Sequence, residues 1–126
     1  MNIGRTVAET PVAEKLAALT ALGTPGVIRL EPSISALAAS LSRRALAGRT
    51  GGGGLPPTAG VRAEITDGAV TVEIALTTEL GRPVPDVAAD AQRRVADALR
   101  ELGGFTVASV TILIVDVDVD VDVDRR

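Results

Sequence analysis

Residues 61–76 constrain the fold more than any other stretch. Val61, Ala63 and Ile65 alternate with polar residues, Asp67-Gly68 follows, and Val70, Val72, Ile74 and Leu76 alternate again. Asp-Gly between alternating runs predicts an antiparallel hairpin closed by a two-residue turn. Such a turn sets Val61 opposite Ile74, Ala63 opposite Val72 and Ile65 opposite Val70, all on one apolar face. Arg62 then faces Glu73 on the other side, an opposite-charge pair worth about 0.2–1 kcal/mol. A sheet with one apolar face needs a second layer to cover it.

Helical periodicity supplies that layer. Thr10-Pro11 reads as a helix start, with Val12, Leu16 and Leu19 as its buried stripe and Gly23 as a left-handed stop. Val27 to Leu30 reads as a short strand. Ser33 opens a second helical stripe of Ile34, Leu37, Ala38, Leu41 and Ala45. The glycines at 51–54 and Pro56-Pro57 break regular structure, so residues 48–59 read as a loop. After a turn at residues 81–85, Pro85 begins a helix whose stripe is Val87, Ala91, Val95, Ala98, Leu99 and Leu102. Gly103-Gly104 stops it, and residues 106–115 form the last strand.

The order helix, strand, variable helix, hairpin, helix, strand predicts a two-layer α+β fold, its helices on one face of a small mixed sheet. Residues 1–118 read as one domain with a variable insert at 31–59, and 119–126 as an acidic tail extending the last strand. That strand returns beside the hairpin by a crossover, right-handed if its neighbour is parallel.

Composition narrows the chemistry. The chain has 126 residues, no cysteine and no histidine, and Phe105 is its one aromatic. Disulfides, thiolate metal sites and thiol nucleophiles are excluded. Neither a membrane-spanning run nor a secretory signal is visible, which predicts a cytoplasmic protein. Acid–base chemistry would fall to carboxylates, of which Glu64 and Glu73 flank the hairpin. Asp86/Asp90 and Asp97/Glu101 are spaced to share helix faces, as a solvated helix surface also requires. The glycine run lacks the Lys-Ser/Thr of a phosphate loop. No cofactor, metal, small-molecule substrate or catalytic residue is indicated.

Several motifs, in order, resemble the alkaline shock protein family, the envelope stress response proteins of Gram-positive bacteria. Pro25-Gly26-Val27 follows the first helix, Gly60-Val61 opens the hairpin, and Val84-Pro85-Asp86 is similar to the family's Ile-Pro-Glu helix start. Ala91-Gln92 lies within that helix, and Gly103, Val107 and the strand from 110 to 115 resemble its terminal pattern. The resemblance implies a non-catalytic protein without a cofactor. It further implies assembly with itself or with a membrane-anchored relative, which would hold it at the membrane without insertion.

The tail is the least ordinary segment. Residues 116–126 carry five Asp and two Arg, and the rest of the chain is balanced at 11 acids and 11 bases. Val110, Ile112 and Ile114 are apolar on even positions, whereas from 116 the even positions are Asp and the odd ones Val. With a period of two, the apolar face inverts near 113–115. Either a bulge resets the faces there, or the strand leaves the core and points its valines elsewhere; the second reading is preferred. Val117, Asp118, Val119, Asp120, Val121 and Asp122 are therefore candidate contact residues, with Arg43, Arg44, Arg93 and Arg94. The same arginines would serve an alternative, a small α+β RNA- or DNA-binding domain, which lacks aromatics for stacking.

Overall fold

The computed structural model describes residues 3–32 and 60–119. Helix α1 (Ile3–Leu22) leads into β1 (Val27–Leu30). The hairpin strands are β2 (Val61–Thr66) and β3 (Ala69–Glu79), followed by α2 (Val84–Glu101) and β4 (Thr106–Asp118). The predicted hairpin register holds at every position, Arg62 opposite Glu73 included. Asp67 and Gly68 both adopt positive φ, 54° and 81°, as a tight turn of this kind requires.

β3 organises the sheet. β4 runs parallel to it along its whole length, while β1 and β2 are both antiparallel to it. Three strands therefore share two edges: β4 takes one, and β2 and β1 follow each other end to end along the other. Ala75 is the junction, its carbonyl accepting from Glu31 N and its N–H donating to the Gly60 carbonyl. A Cβ on Gly60 would lie 2.9 Å from the Glu31 carbonyl oxygen, so only glycine fits where these strand ends abut. Gly26 is equally constrained: its φ is +93°, and a Cβ there would meet Val87 at 2.8 Å. The fold is the expected two-layer α+β arrangement with a mixed sheet. The proposed second helix and loop lie outside the described residues.

The helices cover one face. α1 packs on β2, β1 and α2, and α2 packs on β4. The core joins Val70, Val72, Ile74 and Leu76 of β3 to Val95 and Leu99 of α2 and Val110 of β4. In α2, Val87, Ala91, Val95 and Leu99 are buried as predicted, but Leu102 is 77% exposed because the helix ends at Glu101. α1 departs further from expectation. It begins before Thr10, with Pro11 inside it, and Gly23 is not among the glycines of positive φ. Its core face is Ala13, Ala17, Ala18 and Ala21, while Val12 and Leu19 are 54% and 60% exposed. Small side chains let the helix lie close to its neighbours, because interaxial distance follows contact size. Of the expected stripe Leu16 packs partly buried against the core, while Val12, Leu19 and the later Leu22 turn outward.

The apolar phase of β4 changes twice, and a bulge accompanies each change. Val107 pairs with Val70 and Ser109 with Thr71, so Ala108 is extra. Ile114 pairs with Leu76 and Asp116 with Thr77, so Val115 is extra. Paired residues project to the same face, so Val107, Val110, Ile112, Ile114 and Val117 all lie on the helix side. The preference for valines turned away from the core is thereby corrected: the bulge at Val115 keeps Val117 on the helix side and sends Asp116 and Asp118 to the open face. The strand also ends later than residue 115, because β3 continues past Leu76 and offers Thr77 to Glu79 as partners.

Candidate interaction surfaces

The two edges of the sheet differ in cover. Glu14 of α1, only 3% exposed, accepts the Ala63 N–H at 3.3 Å and so covers the outer edge of β2 with a carboxylate. On β4, Gln92 reaches from α2 to the Val110 carbonyl at 2.6 Å. From Val115 to Val119 every residue is exposed. An uncovered edge is a template for another strand.

The open face at that end is a charged network. Arg29 Nε lies 2.6 Å from Glu31 Oε2, and its Nη2 reaches across β3 to Asp118 Oδ2 at 3.2 Å. The Thr77 hydroxyl donates to Glu31 at 2.6 Å. Asp118 is held below the ordinary carboxylate range, first by the Val119 N–H and then by Arg29, while Arg29 is raised by Asp118 and Glu31. A carboxyl with a depressed folded-state pKa stabilises the fold above the unfolded value of about 3.9 and ceases to do so as pH falls through the folded value. Asp118→Asn is therefore expected to melt below the parent at pH 7 and to match it at strongly acid pH, by thermal denaturation across that range.

The predicted contact residues are dispersed. Val117 and Asp118 end β4 and Val119 follows it, with Val117 39% and Val119 44% exposed. Asp120, Val121, Asp122, Arg43 and Arg44 lie outside the described residues. Arg93 and Arg94, on the exposed side of α2, both bond Asp90, the latter at 3.0 Å. They form a local ion-pair cluster rather than a free basic strip. Asp86 is exposed and Asp97 pairs with Arg100, which places the helix acids on the surface. Pro25, Arg82, Pro83 and Val87 line a shallow hollow beside Asp86 and Asp90. Sequence reasoning missed the outward row on α1, Val12, Leu19 and Leu22, the last 44% exposed. The signal was present: alanines and larger aliphatics each repeat at helical spacing, so two sides of the helix compete for the core.

Against known proteins, the model of the alkaline shock protein 23 family, of cell envelope-related function, matches residues 1–119. The chain belongs to that family. The motif residues quoted above find physical roles within the family fold: Gly26 and Gly60 at close approaches, Gln92 as the tie between α2 and β4. No curated protein matches the chain. Among solved structures, a variant of MamM CTD is similar, with a TM-score of 0.56 at 10% identity, covering 86% of this chain and 96% of that one. A nickel form of MamM CTD gives 0.53 at 10% identity, covering 84% and 96%. A manganese form gives 0.51 at 11%, covering 86% and 96%. At such identities the likeness is one of fold. Among the described residues, no group of three or more His, Cys, Asp or Glu is placed to hold a metal, and no helix is long and apolar enough to cross a membrane.

Proposed function

We infer that the chain is a non-catalytic interaction module of the cell envelope, assembling with copies of itself or with a membrane-anchored relative on the cytoplasmic side. One observation carries this reading. The alanine side of α1 is covered, whereas Val12, Leu19 and Leu22 stand exposed on the other side, grouped around the exposed Lys15. Large aliphatics grouped on one exposed helix side mark an association surface. The family's envelope-related function supports the setting. The surface placement of the helix carboxylates supports the non-catalytic part.

The test is the double variant Leu19→Glu with Leu22→Glu in the full chain, followed by sedimentation velocity. The parent is expected to sediment as an oligomer and the variant as a monomer, with unchanged circular dichroism. A parent that stays monomeric at every concentration and co-purifies with no envelope protein would overturn the reading.

A further inference from the structure

The open end of β4 satisfies its backbone in a particular way. Asp118 turns its carbonyl to the β3 side, where Leu80 N donates to it at 2.7 Å. In a parallel ladder alternate residues address opposite edges, so Val117 presents its backbone groups to the outer edge, and Val119 follows just past the strand's end. Both outward amides are taken by the preceding carboxylate. Val117 N–H donates to Asp116 Oδ1 at 2.8 Å, and Val119 N–H donates to Asp118 Oδ1 at 2.7 Å. Asp118 is also paired with Arg29, whereas Asp116 has no ion pair among the described residues.

We propose that the edge of β4 from Val115 to Asp118, with Val119 just beyond it, is a docking strand for an extended basic segment of a partner protein, in which Lys or Arg alternates with aliphatic residues. Charge selects this occupant. A second copy of the same edge would set Asp against Asp, and like charges on neighbouring strands are destabilising. A neutral strand would have to displace both carboxylates from the amides with nothing offered in return. An alternating basic strand offers cations to Asp116 and Asp118 on the open face and aliphatic side chains beside Val117 and Val119 on the other. Drawn to those cations, the carboxylates release the Val117 and Val119 amides to the incoming carbonyls. Main-chain bonds then give affinity and the alternating side chains give selectivity, as in other strand additions. The inference rests on the interaction-module reading and names a class of partner for it.

A synthetic peptide of alternating Lys and Val, titrated into the full chain, is the probe. Binding is expected to shift the Val117 and Val119 amide resonances and to slow their hydrogen exchange. Asp116→Asn should weaken it about two- to fivefold, the range of one exposed ion pair. N-methylation of the peptide amides that face β4 should weaken it about tenfold or more, because two or more backbone bonds are lost. Equal binding of the N-methylated peptide would reduce the contact to surface ion pairing and overturn strand addition. Equal binding of a Glu-Val peptide would overturn the selection by charge. The Leu19→Glu, Leu22→Glu chain retains β4, so peptide binding and self-assembly through α1 fail separately.

Discussion

Ile74→Ala is expected to lower the unfolding free energy by about 2–5 kcal/mol, read from urea titration. Ile74 is fully buried at the middle of β3, opposite Val61 on one side and Ile112 on the other. Its removal leaves a cavity that backbone pairing on both edges prevents from closing. Leu19→Ala, by contrast, should change stability by no more than about 0.5 kcal/mol when both chains are measured at a dilution where the parent is monomeric, since in the single chain it trims a side chain facing solvent. Equal losses at the two positions would mean that α1 is rotated to bury its larger residues, and that the association surface assigned to it does not exist.

The contrast between those residues marks where the fold was legible. The hairpin could be read because its turn fixes register locally: Asp67-Gly68 has one low-energy geometry, and every pairing follows from it. α2 could be read because one face is apolar and the other charged. α1 could not, because its alanines and its larger aliphatics both repeat at helical spacing and periodicity does not say which set is covered. Preference for larger side chains selected Val12 and Leu19; close approach of the helix selected Ala13, Ala17 and Ala21. The extension of β3 was hidden in Thr77 and Thr78, polar by type yet both fully buried. Thr77 is accommodated by a partner distant in sequence, Glu31, which no local pattern announces.

The candidate contact strand was half legible for the same reason. The phase inversion near Val115 was visible in the sequence, and so were its two structural solutions. What chose between them is the length of β3, whose last residues give Asp116 to Asp118 something to pair with. Once paired, the strand gains more by absorbing one residue in a bulge than by turning its valines into water. Val107 and Val110 differ in phase as well, and the bulge at Ala108 is the same solution applied earlier in the strand.

Truncation after Val115 is therefore expected to cost about 2–3 kcal/mol, whereas truncation after Val119 should cost no more than about 0.5 kcal/mol. The shorter chain loses the pairing with Thr77, Thr78 and Glu79, the bond from Leu80 N to Asp118 and the Asp118 partner of Arg29. It also uncovers two fully buried threonines. The longer chain loses no contact made among the described residues. Urea titration of both, at neutral pH, separates a strand that belongs to the sheet through Asp118 from one that merely lies along it. Equal midpoints for the two truncations would detach residues 116–118 from the fold, and with them the fixed edge on which docking of a basic strand depends. A large loss for the shorter chain alone would make that edge a built feature of the sheet, rigid enough to hold the Val117 and Val119 amides in line for a partner.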